Sequence, residues 1–205
     1  MFNLDDFNEV KFDDLKSDTF KMCDKFGLDY SKVPDFNENR REYENYLRHE
    51  TSETIQSVVR YTGGEYFSIN RGLSGVEKLS NEIKASIKNI DLFLSKTDGL
   101  KQNSIFYRAE LSVYHKNWEI GDTVTTKIFS STSIDRTFVD SVQSKSDVLK
   151  FYARKGSKCG AFISPISLYN KYENEFLMKR NLKFKIISNE IVENKKIWNL
   201  LILDD

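Results

Sequence analysis

Between Ser74 and Ser95 the apolar residues Val76, Leu79, Ile83, Ile87, Ile90 and Leu94 recur every three or four positions, which is the spacing of one helix face. The periodicity predicts a helix over the whole stretch, ended by Asp98-Gly99. Upstream the same signal is shorter. Asp13 is placed to cap a helix that carries Leu15, Met22 and Phe26 and closes at Gly27. Pro34-Asp35 interrupts the chain, and a second helix from about Asn37 carries Tyr43, Tyr46 and Leu47. A third starts near Thr51-Ser52, presents Ile55, Val58, Val59 and Thr62, and is expected to stop at Gly63-Gly64.

After Gly99 the period changes from helical to alternating. Ser104–Val113 reads as a strand with Ile105, Tyr107, Ala109 and Leu111 on one face and Phe106, Arg108 and Glu110 on the other. Thr123–Ser133 is rich in β-branched residues and reads as another strand. Short strands are expected at Val148–Tyr152, Cys159–Ser164, Glu173–Met178, Leu182–Ile187 and Lys196–Leu203. Helices first and strands second predict an α+β fold rather than alternating βαβ units. With no repeat and no long linker, the expected organisation is one domain over residues 1–205, helical to about 100 and β-rich from about 101.

Composition narrows the function classes. The 205 residues are 39% hydrophobic and 30% charged, ordinary for a globular chain and unlike a disordered one. A formal net charge of zero implies no bulk attraction to nucleic acid or to a membrane surface. No apolar run approaches the roughly 20 residues of a membrane span. The start, MFNLDDFNEVKFDD, is acidic where a secretory signal is basic and then apolar. Cys23 and Cys159 are far apart, and neither they nor His49 and His115 form a metal-ligand pattern or a Ser-His pair. Free thiols without an export signal fit a reducing interior.

The candidate chemistry lies in three places. If Tyr172–Met178 is extended, Glu173 and Glu175 share a face about 7 Å apart, a couple able to orient a nucleophile and stabilise positive charge. With 31 acidic residues in the chain, about four or five acid-x-acid pairs arise by chance, so the pair alone says little. Arg108 offers a rigid fork of donors for a phosphate, although by itself it also reads as a surface charge paired with Glu110. Ser131-Thr132-Ser133 lets a flat ring approach a strand, although a Ser/Thr run is equally an ordinary exposed strand.

In chain order, Phe106-Tyr107-Arg108, Phe129-Ser130-Ser131-Thr132-Ser133 and Glu173-Asn174-Glu175 together resemble the ADP-ribosyltransferases of the Arg, Ser-Thr-Ser, Glu-x-Glu type. The likeness is greatest to the clostridial Rho-modifying exoenzymes and to the catalytic half of the binary actin-modifying toxins. Lys155–Ile163 with Ser164-Pro165-Ile166-Ser167 is similar to the strand that leads into the family's target-recognition loop. Tyr61–Tyr66 with Ile69-Asn70 resembles its helical NAD-contact segment, so the likeness covers about residues 51–203.

The resemblance implies helices on a two-sheet mixed β core, NAD as co-substrate, no metal, and transfer of ADP-ribose to a macromolecule. It places Arg108, Ser131, Thr132, Ser133, Tyr61, Tyr66, Asn70 and Phe138 at the NAD, with Glu175, Glu173 and Ser131 catalytic and Ser131 orienting Glu175. Cleaving the nicotinamide–ribose bond leaves an oxocarbenium-like sugar, the charge problem that glycosidases solve with carboxylates. Glu173 and Tyr169 are assigned to the target side, and Glu rather than Gln at 173 implies an arginine acceptor. The chain departs from the family after Ser133: Phe138 is the one aromatic before residue 150 and comes early, Arg136 precedes it, and Lys145 is the nearest later cation. Ala109 stands where many relatives have a second Arg or a Gly.

Three other readings share these residues. Transfer to a nucleic-acid base keeps the same machinery; an NAD glycohydrolase needs Arg108 and Glu175 but not Glu173; a non-catalytic module of the same fold would bind a partner through the Tyr169 loop. The lack of an export signal leads to an expected cytoplasmic site of action, as an injected or delivered effector, a toxin–antitoxin toxin or a phage protein. An immunity or antitoxin partner goes with that expectation.

Overall fold

Helix α1 (Glu53–Arg60) turns Ile55, Val58 and Val59 to one side, and helix α3 (Asn81–Ser95) answers with Ile87, Ile90, Phe93 and Leu94. Each such side chain, fully buried, contributes about 1.5–3 kcal/mol. The computed structural model describes residues 3–9, 53–97, 99–100, 102–136, 146–163, 166–167, 174–192 and 195–204. The two helices expected before Thr51 lie outside the described residues.

The helical region differs from expectation at both ends. Gly63-Gly64 does not stop it: Tyr61–Glu65 forms a π turn, and helix α2 (Tyr66–Leu73) follows. Gly64 has φ of +133°, open to glycine and strained for other residues, so the chain kinks there and resumes its helix. Helix α3 begins later than its periodicity suggests. Ser80 caps it by accepting from the Ile83 amide at 3.2 Å, and Val76 lies 62% exposed ahead of it.

Among the described residues, eight strands follow a continuous path and a ninth lies off it. They are β1 (Asn8–Glu9), β2 (Ser104–Glu110), β3 (Thr123–Thr125), β4 (Ser130–Ser133), β5 (Asp147–Ala153), β6 (Gly160–Phe162), β7 (Glu175–Met178), β8 (Lys183–Val192) and β9 (Lys195–Leu203). The order is β3-β8-β9-β5-β2-β4-β7-β6, with β1 pairing β2. β5–β9 and β1–β2 are parallel and the remaining pairs antiparallel, so the sheet is mixed as expected. The single strand expected over Thr123–Ser133 is two strands on different neighbours, β8 and β7. β2 ends at Glu110, and Ser112–Tyr114 forms a 3-10 turn instead of continuing it. β1, inside the half expected to be helical, was not legible from two residues.

The two-sheet character lies in how this path bends. β2 and β4 share one registered pair, Tyr107 with Ser133, and the sheet divides there into a wing β3-β8-β9-β5-β2 and a wing β4-β7-β6. Between the wings Phe106 and Phe176 stack at 4.0 Å in a core that includes Leu149, Phe151, Phe162, Met178, Phe184 and Trp198. The α helices cover the other face of the small wing through Phe129, Ala161 and Leu177. Arg180 closes that layer with a forked contact to Asp91 of α3, its shortest bond 2.7 Å.

Candidate active site

The small wing carries Glu175 as the first residue of β7. Asn174 before it has φ of +40°, a left-handed conformation that Asn tolerates, and the strand begins directly after it. Glu173 itself lies outside the described residues, as do Tyr169, Phe138 and Lys145. Gly160 lets β6 approach β7 closely, because a Cβ there would lie 2.2 Å from the Leu177 carbonyl oxygen.

Ser131 and Glu175 meet across the β4–β7 pair. The Ser131 hydroxyl donates to Glu175 Oε1 at 2.6 Å. Ser167, to which the sequence assigns no role at the site, donates to Oε2 at 2.7 Å. Both carboxylate oxygens are thus held in a residue only 2% exposed. Burial pushes the Glu175 carboxyl above its usual range, and it wins over the opposing pull of Ser131, Ser167 and the Arg108 charge.

Arg108 reaches the same place from the large wing. Its Nη1 donates to the Ser131 carbonyl oxygen at 2.8 Å, while Nε and Nη2 donate to Glu110 Oε1 at 3.4 and 3.3 Å. These bonds use three of the five guanidinium N–H groups, and two remain to meet an anion. A cavity of about 210 Å³ opens beside Arg108 where the wings part, between Trp118 and Ser130. A larger one, about 660 Å³, lies at Tyr152 and Asn199 and shares none of these residues.

Three of the expected cofactor contacts are buried and have partners inside the protein. Tyr61 is 1% exposed, donates its hydroxyl to the Phe129 carbonyl at 3.2 Å and packs edge-on against Phe129. It braces the wall behind Ser131, and burial raises its phenol to about 12. Thr132 turns to the opposite face of β4, where its hydroxyl donates to the Phe176 carbonyl at 2.7 Å. Ser133, 3% exposed, accepts from the Asp135 amide at 2.9 Å and shapes the turn after β4. Small residues on a strand do not by themselves reveal which face they use.

Tyr66 and Asn70, one turn apart on α2, stay available. Tyr66 is 49% exposed, and Asn70 Nδ2 donates to the Tyr61 hydroxyl and to the Phe129 carbonyl. Asn70 Oδ1 is buried with no hydrogen-bond partner, an acceptor that a ligand N–H would satisfy. Arg136 lies exposed after β4. A dinucleotide fits this set: free N–H groups for its pyrophosphate, an orphan acceptor and an exposed ring for a base, and a held carboxylate for the reacting sugar. Among the described residues no group of His, Cys, Asp and Glu is placed to hold a metal, and no helix is long and apolar enough to cross a membrane.

Comparison with known proteins gives the same result from another direction. A family model described as ADP-ribosyltransferase exoenzyme matches residues 36–204. No curated protein matches the chain at a significant level. Among solved structures, the C3 exoenzyme of Clostridium limosum is similar with a TM-score of 0.68 at 18% identity, covering 96% of this chain and 97% of that one. C3stau2 from S. aureus, solved with NAD, has a TM-score of 0.66 at 17% identity over 85% and 99%. BECa, the ADP-ribosylating toxin of a C. perfringens binary enterotoxin, solved with NADH, has a TM-score of 0.64 at 18% identity over 96% of this chain and 50% of its own. At these identities the structures testify to the fold, and the family model spans most of the sequence. The chain belongs to the ADP-ribosyltransferase exoenzyme family, enzymes for which NAD is the co-substrate.

Proposed function

We propose that this protein transfers a single ADP-ribose from NAD to an arginine side chain of a target protein, with Arg108, Ser131 and Glu175 at the centre of the site. The observation that carries the reading is the 2.6 Å bond from Ser131 to Glu175 with the Arg108 guanidinium 2.8 Å from the backbone of that same serine. Bound NAD supplies the ADP-ribosyl group and a cationic nicotinamide leaving group. The two uncommitted N–H groups of Arg108 hold the pyrophosphate. Tyr66 and Asn70 orient the adenosine end.

Glu175 holds a ribose hydroxyl and faces the developing positive charge. A carboxyl whose burial favours the neutral form is drawn back to the anion when a cation arrives beside it. Its charge is therefore strongest when the reaction calls for it, and the two serines prevent it from rotating away.

The arginine acceptor rests on Glu173, which by chain position follows the target-side loop and can grip a guanidinium bidentately. Two variants test both levels. Glu175→Ala is expected to abolish nicotinamide release from NAD, a loss of about 10³-fold or more. Glu173→Gln is expected to retain nicotinamide release while losing labelling of target protein, with mass spectrometry placing the wild-type adduct on arginine. An adduct on a nucleic-acid base, or on another side chain, would replace the arginine assignment and leave the Glu175 mechanism standing.

A further inference from the structure

Glu110 and Asp147 are direct cross-strand partners in the β2–β5 ladder. Like charges directly opposite one another destabilise a sheet, and Asp147 is only 9% exposed. His115 resolves the conflict. Its ring, 2% exposed, puts Nε2 2.9 Å from Glu110 Oε2 and Nδ1 3.5 Å from Asp147 Oδ2. Asp147 Oδ2 also accepts from Trp198 Nε1 at 3.3 Å, and Trp118 packs on the imidazole at 4.4 Å.

The direction of the bond to Glu110 follows from charge. Burial alone would raise the Glu110 carboxyl, but His115 and Arg108 together outweigh it and hold it below its usual range. Paired through Oε1 with the permanently charged Arg108 guanidinium, Glu110 serves as acceptor, and the ring tautomer with its hydrogen on Nε2 completes the contact. Glu110 divides its oxygens: Oε2 takes the histidine and Oε1 takes Nε and Nη2 of Arg108. A single chain of contacts runs from Trp198 through Asp147, His115 and Glu110 to Arg108.

We propose that His115 is a positioning residue for NAD: by donating to Glu110 it fixes that carboxylate, which in turn fixes the Arg108 fork toward the pyrophosphate. The inference rests on the reading of Arg108 given above. It touches no reacting atom, so it acts on the binding of NAD and not on the chemical step.

The two amide isosteres of histidine separate this role from simple packing. The amide nitrogen of Gln reaches the place of ring Nε2 and can donate to Glu110, whereas that of Asn reaches only the place of Nδ1, beside Asp147. Steady-state nicotinamide release is measured for wild type, Arg108→Lys, His115→Gln, His115→Asn and His115→Leu, with circular dichroism to confirm folding. His115→Asn and His115→Leu are expected to raise the KM for NAD about five- to tenfold with kcat within about twofold, and His115→Gln to stay within about twofold of wild type.

Equal KM values for the Gln and Asn variants, or losses confined to kcat, overturn the proposal. Should the variants not fold, the wild type still decides: nitrogen-15 NMR of the ring, assigned against His49, must find a proton on Nε2, and an unprotonated Nε2 overturns it. A wild type that releases no nicotinamide, or an Arg108→Lys variant with unchanged KM, sinks the Arg108 reading and this one together. An Arg108-dependent KM that ignores residue 115 sinks this one alone.

Discussion

Ser167 was invisible as a functional residue because nothing in a serine after Ser164-Pro165-Ile166 marks it as facing a carboxylate eight positions later. Its bond to Glu175 Oε2 is one of the forces that oppose burial and keep the carboxyl from rising further. Ser167→Ala is therefore expected to raise the Glu175 pKa and to shift the acid limb of kcat to higher pH. A pH–rate profile superimposable on wild type would exclude this role. By contrast, the meeting of Ser131 with Glu175, and of Arg108 with Ser131, is what the three motifs lead one to expect. Strand register sets which way the Thr132 and Ser133 hydroxyls turn, and the motif alone does not show it.

At the level of elements, periodicity found the helices and most strands, and it failed where backbone geometry overrode it. A Gly-Gly pair reads as a stop, yet the chain kinks at Gly64 and goes on into α2, which sets Asn70 against the Phe129 carbonyl just ahead of β4. Gly64 has open space around it, so Gly64→Ala meets no clash and pays only for its φ of +133°. A loss of about 1–2 kcal/mol in stability is expected from denaturant titration. Because α2 carries Asn70, the KM for NAD is expected to rise about threefold or more with little change in kcat. The split of Thr123–Ser133 has a similar origin: its β-branched run suits a strand everywhere, and the partition between β8 and β7 is a tertiary choice.

On the scale of the whole molecule, a buried Glu175 links catalysis to folding. Its carboxyl binds its proton more tightly folded than unfolded, so the folded state loses stability as pH rises from the ordinary carboxylate value of 4.5 through the raised one. Glu175→Gln removes the titration. Without NAD, the variant is expected to match wild type at about pH 4 and to be the more stable of the two at about pH 8. Equal gains at both values would show that ionisation is not the cause. The Glu175 carboxylate is thus held at a cost to the resting protein, one that bound ligand can offset.

The lone rung between Tyr107 and Ser133 has a further effect. Arg108 and Glu175 hang from separate wings, and the spacing between them is kept less by backbone bonding than by the aromatic pair at positions 106 and 176, each within two residues of a reactive group. Trimming either ring loosens the jaws of a vice from deep inside its frame. Repacking of that aromatic pair is therefore expected to reach turnover without touching any charged group.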